Sequence, residues 1–154
     1  MILTKSLIID NIISIVYCYE YPRPSVTVDI ILLTDAKPYP DVLLIRRKNP
    51  PFKEAWALPG GFLEMDETLE ESALRELYEE TNISNVELTQ LGTFDHPHRD
   101  PRGRVITVAY VGIVKSKIKD VIAGSDAGEA TWHSTSKLPE LAFDHKIIIQ
   151  TALK

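Results

Sequence analysis

Hydrophobic positions along the chain fall into short β-branched runs and two longer segments of helical period. Ser25 to Leu33 is rich in β-branched residues and predicts a strand. Val42 to Arg47, a short apolar run closed by paired arginines, predicts another. Val105 to Val114 is almost wholly apolar, the pattern of a central strand covered on both faces. Val86 to Phe94, Glu129 to His133 and the ambiguous Ile12 to Tyr19 are less regular and are read as further strands. Prolines such as Pro22, Pro24, Pro50 and Pro59 punctuate these segments. There is no internal repeat, low-complexity tract or linker.

The helical period appears first from Leu69 to Thr81. Thr68 is placed to cap this helix, with Glu71 three residues on to complete a capping box. Asn82, tolerant of the left-handed conformation, stands where the helix should stop. Ala73, Leu74 and Leu77 are expected to form its buried stripe. A second helix is expected from Asp144, its N-cap, to the end of the chain. Strands interspersed with two helices imply an α/β layered domain around a mixed sheet.

Composition narrows the function classes. The 154 residues suit one domain, and 44% hydrophobic with 25% charged residues is ordinary for a globular protein. A net charge of −5 offers no global field for nucleic acid, so no nucleic-acid partner is expected. Handling phosphates would then require local arginines or bound cations. The single cysteine, Cys18, forms no internal disulfide, and no signal peptide or membrane span is expected. A soluble cytoplasmic protein with no membrane partner is the expectation.

The informative chemistry lies on the first helix. Glu76, Glu79 and Glu80 share one face, within an arc of roughly 100°, and Ser72 one turn earlier should leave that face open. Clustered glutamates usually make a solvated acidic face. Here, however, Glu79 and Glu80 occupy the last turn, the negative end of the helix dipole, where cations are favoured. A hard divalent cation bound by carboxylate oxygens removes that conflict. Arg75 adjoins the face and could orient a carboxylate, and Pro59-Gly60-Gly61 supplies a turn without bulky side chains.

Gly61, Glu67, Arg75, Glu76, Leu77, Glu79, Glu80 and Ile83 are similar, in register, to the motif of the Nudix hydrolase family. One position departs, Asn82 standing where the family has glycine. The resemblance implies an α/β/α sandwich around a central mixed β-sheet, with the loop-helix-loop of the motif holding Mg²⁺ or Mn²⁺. It implies Gly60 (through its carbonyl), Glu76, Glu79 and Glu80 as metal ligands, with Arg75 and Glu67 in support. The implied chemistry is cleavage of a pyrophosphate bond by an activated water. Glu76 or Glu79 is expected as the base, with Glu129 as a candidate outside the motif.

The substrate must be read from other segments. Arg46 and Arg47 end a strand just before the motif, and by alternation only one should face the site. Arg99, Arg102 and Arg104 populate a basic loop and are candidates for phosphate or ribose contacts. His96 and His98, in the same loop, are read as hydrogen-bonding or exposed rather than metal-ligating. Trp132 or Phe94 could stack on a base, or simply belong to the core. Asp100-Pro101-Arg102-Gly103-Arg104 and Leu141-Ala142-Phe143-Asp144-His145 resemble the family branch of ADP-ribose pyrophosphatases and related regulators of NAD metabolism. The regulators carry an additional C-terminal DNA-binding domain, for which no residues remain after the final helix, so an enzyme is expected. The resemblance thus implies hydrolysis of ADP-ribose to AMP and ribose 5-phosphate. A nucleoside triphosphate sanitiser and a non-catalytic ADP-ribose sensor are the alternatives. A homodimer is expected, with residues 1–20 as an N-terminal extension at the contact and residues 1–154 forming one domain.

Overall fold

The computed structural model describes residues 3–9, 12–115, 121, 123 and 127–154. Residues 1, 2, 10 and 11 of the expected N-terminal extension lie outside this set. The strands are β1 (Leu3–Ile9), β2 (Ile12–Cys18), β3 (Ser25–Thr34), β4 (Asp41–Arg47), β5 (Trp56–Ala57) and β6 (Gly60–Phe62). Helix α1 (Leu69–Thr81) follows, then β7 (Thr89–Phe94), β8 (Val105–Val114), β9 (Ala127–Ser134) and α2 (His145–Ala152).

β1 and β2 form a separate antiparallel hairpin. The other seven strands make one mixed sheet in the order β5-β4-β3-β8-β7, with β6 added to β3 and β9 to β4. β3 and β8 pair in parallel, from Ser25 opposite Val105 to Thr34 opposite Val114. This is the mixed sheet that the sequence pattern predicts.

The period of two along β3 sorts its side chains between two cores. Val28, Ile30 and Leu32 pack with Ala73 and Leu77 of α1. Ile31 and Leu33 pack with Ile148 and Ile149 of α2. Both faces are covered, so β3 shows no exposed residue after Ser25. The result is an α/β/α sandwich in which α1 and α2 lie on opposite faces of β3, the strand that pairs with β6 and sets Gly60 opposite Asp29.

Helix α1 has the expected limits. Thr68 Oγ1 accepts the Glu71 amide at 3.3 Å, Glu71 Oε2 accepts the Thr68 amide at 2.8 Å, and Asn82 sits at φ 59°. Its buried face differs from expectation. Leu74 is 37% exposed whereas Ser72 is fully buried; Ser72 Oγ accepts from Arg75 Nη2, which also reaches the Phe62 carbonyl of β6, so α1 packs against β6 as well as β3. Two further details differ, the start of one strand and the form of one helix cap. Val86 and Leu88 pack against the α1 core from a loop, and β7 starts only at Thr89. Asp144 takes the N-cap position of α2 but makes no side-chain cap, since its carboxylate pairs with Arg99. A buried guanidinium without a counter-charge is far costlier than an uncapped helix end. Among the described residues no helix is long and apolar enough to cross a membrane.

Candidate active site

Arg75 organises the carboxylates of the helix. Its Nε and Nη2 grip Glu67 at 2.9 and 2.7 Å, the bidentate geometry that guanidinium favours. Nη1 donates to Glu76 at 2.8 Å and to Glu79 at 3.2 Å. Nη2 also reaches the Phe62 carbonyl, tying the helix to β6. The Arg75 guanidinium holds the Glu67 carboxyl down to about 2. Burial, by contrast, raises Glu76, against the opposing pull of Arg75.

Glu80 is the inward member of the set. Its Oε2 accepts the Gly60 amide at 2.9 Å. Burial pushes its carboxyl up to about 8, outweighing that hydrogen bond. Both glycines of the turn are required for this approach. A Cβ on Gly60, at φ 156°, would stand 2.1 Å from the Val28 carbonyl oxygen, and one on Gly61 would stand 2.2 Å from Glu76 Oε1. Backbone and carboxylates therefore meet with nothing between them.

The donors of this set are all hard oxygens, and burial raises the proton affinity of two of them, Glu76 and Glu80, as expected of carboxyls gathered where a cation would offset them. That chemistry fits a divalent cation such as Mg²⁺ or Mn²⁺. Among the described residues no three acidic, histidine or cysteine side chains converge on one point, because Arg75 draws Glu76 and Glu79 to itself.

Beside the turn lies a cavity of about 90 Å³, lined by Thr27, Asp29, Arg47, Gly60, Arg102 and Phe143 among others. Arg47 lines it, while Arg46 points away and pairs with Glu54 at 3.2 Å, the division that strand alternation predicts. Burial and the nearby Arg102 cation both lower Arg47, the signature of two cations held close together. Arg102 lies 5.0 Å from the Phe62 ring and 5.5 Å from the Phe143 ring, and Arg47 lies 5.0 Å from Phe143. Arg102 also grips Asp100, its Nη2 at 2.6 Å from Oδ2.

Arg99 borders the same cavity but is 3% exposed, shared between Asp144 at 2.7 Å and Asp29 at 3.3 Å. Arg104 donates to the Asp95 carbonyl at 2.6 Å and is absent from the cavity lining. His96 and His98 are exposed, with ring centroids 6.0 Å apart. Glu129 is exposed on β9, opposite Arg46 on β4, and does not border the cavity. Of the two aromatic candidates, Trp132 packs against the α1-side core and Phe94 against the α2-side core.

Three contributors escaped the sequence pattern. Asp29 is buried within β3, where His145 Nε2 lies 3.3 Å from its Oδ1. Burial raises the Asp29 carboxyl, but His145 and Arg99 together lower it below the ordinary range. The signal was available: Asp29 is the one charge in the apolar run Val26–Leu33. Phe143, in the left-handed region at φ 52°, and Thr27 carry no comparable mark.

Residues 23–152 match the NUDIX domain family, and the chain belongs to it. It is by class a Nudix pyrophosphohydrolase, a family whose members generally use divalent metals. Within the family it resembles the ADP-ribose pyrophosphatase branch. An ADP-ribose pyrophosphatase of Methanocaldococcus jannaschii is 44% identical over 135 residues, 87% of this chain and 76% of that protein. The ADPR responsive transcriptional repressor NtrR of Acinetobacter baylyi is 39% identical over 137 residues. That match takes in 86% of this chain but only 54% of the repressor. The NUDIX domain of Shewanella oneidensis NrtR, solved in complex with ADP ribose, has a TM-score of 0.75 at 35% identity, covering 86% of this chain and 88% of that one.

Proposed function

We propose that this chain hydrolyses ADP-ribose to AMP and ribose 5-phosphate with the help of Mg²⁺ or Mn²⁺. The observation that carries the reading is the adjacency of two unlike groups. The carboxylate face of α1 meets the Gly60-Gly61 turn, and the cavity beside that turn holds Arg47 and Arg102. A diphosphate needs both: guanidinium partners for its non-bridging oxygens and a carboxylate-rich place where water attacks. The similarity to the Methanocaldococcus enzyme and to the ADP-ribose-bound domain supports the choice of ADP-ribose.

In this reading Glu76, Glu79, Glu80 and the Gly60 carbonyl hold the cation. Held there, a divalent cation would supply Lewis-acid polarisation of a phosphoryl oxygen and a lowered pKa for water. Arg75 keeps Glu67, Glu76 and Glu79 in mutual register. Arg47 and Arg102 orient the diphosphate. Water oxygen bonds to phosphorus, the bridging P–O bond breaks, and the water proton passes to a carboxylate. Glu76 and Glu79 are the candidates for that base; Glu129 is the candidate outside the motif, though it lies beyond the cavity.

A product assay with Mg²⁺ over ADP-ribose, NADH, diadenosine polyphosphates, dGTP and 8-oxo-dGTP tests this. AMP and ribose 5-phosphate from ADP-ribose are expected. Preference for dGTP or its oxidised form would overturn the substrate. The likeness to a repressor favours a second reading, an ADP-ribose sensor, and saturable binding without turnover would select it. We also infer a homodimer joined through β1 and β2. A two-stranded hairpin outside the main sheet is marginal by itself. Analytical ultracentrifugation with and without residues 1–18 tests that contact.

A further inference from the structure

We propose that His145 is a positioning residue for the active site, holding in place the backbone segment on which Glu80 rests. The proposal builds on the hydrolytic reading of the carboxylate face, and it starts from a line of hydrogen bonds that crosses the sheet. Arg99 is fixed by Asp144 at 2.7 and 3.0 Å and reaches Asp29 Oδ2 at 3.3 Å. The other oxygen of Asp29 lies 3.3 Å from His145 Nε2. His145 Nδ1 then accepts the Leu58 amide at 2.9 Å, across 87 residues of chain. Because Nδ1 is an acceptor, the ring proton sits on Nε2 and is donated to Asp29. The aspartate thereby fixes both the tautomer and the ring orientation, as outer partners do for ligating histidines.

What this fixes is a segment with few alternatives. Pro59 has no amide proton, so Leu58 and Gly60 supply its flanking donors. One donates to His145 and the other to Glu80. Between them the Pro59 carbonyl accepts the Ile30 amide at 2.8 Å. Leu58, His145 and Asp29 are 2%, 4% and 7% exposed, so no solvent replaces a lost partner. Gly60 presses so closely on Val28 and Asp29 that a displacement at Leu58 has no slack to absorb it before the Gly60 amide. The first residue of α2 thus sets the seat of a carboxylate on α1, on the opposite face of the sheet.

Two substitutions separate this role from general packing. In His145→Asn the amide oxygen occupies the place of Nδ1 and still accepts the Leu58 amide. In His145→Gln the amide group falls near Nε2, keeping the Asp29 contact and abandoning Leu58. With the full chain and ADP-ribose, His145→Gln should lower kcat about tenfold or more, with KM within about twofold of wild type. His145→Asn, which keeps the Leu58 contact, should retain a kcat at least about fivefold above that of His145→Gln. In ¹⁵N-labelled protein without substrate, the Gly60 amide should shift and exchange faster in His145→Gln only. That amide readout does not require turnover, so it tests the relay even if ADP-ribose proves not to be hydrolysed. Equal kcat for the two variants, or an unmoved Gly60 amide in His145→Gln, would overturn the proposal. Should His145→Gln not fold, a tenfold loss of kcat in His145→Asn would overturn it equally.

Discussion

The Gly60 amide donates to Glu80 Oε2 at 2.9 Å, joining the turn before the motif helix to the last turn of that helix. This bond places a carboxylate at the negative end of a helix, in a buried position that raises its proton affinity. Stability alone gives no reason for such an arrangement. Glu80→Gln should therefore leave the melting temperature unchanged or raise it, since a neutral amide still accepts the Gly60 proton. Turnover under saturating Mg²⁺ should nevertheless fall by about a hundredfold or more. Calorimetry and steady-state kinetics on the same preparation check both halves, and near-normal kcat would remove Glu80 from the site.

The two glycines of the turn should fail in different ways. A Cβ on Gly60 meets the Val28 carbonyl oxygen at 2.1 Å, an immovable backbone atom, in a φ region that side chains avoid. Gly60→Ala should destabilise the fold, by about 2–4 kcal/mol if strain and the lost approach act together. A Cβ on Gly61 meets instead the carboxylate of Glu76, the far end of a flexible chain. Gly61→Ala should fold and lose activity because Glu76 is displaced. Chemical denaturation curves beside kcat values distinguish the two. A well-folded, fully active Gly61→Ala would sink the argument.

The limits of α1 were legible because each was a local matter: Thr68 and Glu71 at one end, Asn82 at the other. The covered strands were legible from apolar runs, and the carboxylate face from helical spacing. Strands β5 and β6, two and three residues long, hold no period to read; they exist through pairing with β4 and β3. Ser72 and Leu74 exchanged expected environments because burial on α1 is set by the short strand β6 as well as by β3. Asp144 illustrates the same limit. Its local context specifies a cap, but Arg99, 45 residues away, takes the carboxylate. Arg46 and Arg47 lie on different sides of β4, although its pairing with β9 is irregular between them.

That division yields a paired prediction. Arg47 lines the cavity beside the turn, while Arg46 forms an exposed pair with Glu54. Arg46→Ala should leave kcat and KM within about twofold of wild type, as exposed ion pairs contribute little. Arg47→Lys keeps the charge but loses the planar fork. It should raise KM for ADP-ribose about tenfold, the equivalent of one charge-assisted hydrogen bond. Initial rates over a range of ADP-ribose concentrations give both constants. Equal effects at the two positions would mean that alternation does not orient them toward the substrate.

Asp100 and Arg102 should make stability depend on pH in the acid range. The Asp100 carboxylate is 2% exposed and accepts both the Arg102 amide and its guanidinium. Burial raises its proton affinity, but the Arg102 hydrogen bonds more than compensate, and the net shift is below the ordinary 3.8. An acid with a lowered folded value contributes stability that is complete above its unfolded value. That contribution disappears as pH falls from 3.8 through the folded value, because the folded state must then take up the proton it resists. Asp100→Asn removes it at every pH, so at neutral pH the variant should be about 1–3 kcal/mol less stable than wild type. As pH falls below 3.8 the two melting temperatures should converge. Thermal melts of both proteins at stepped pH measure the gap. A gap that stays constant or widens on acidification would show that Asp100 stabilises the loop by something other than its charge.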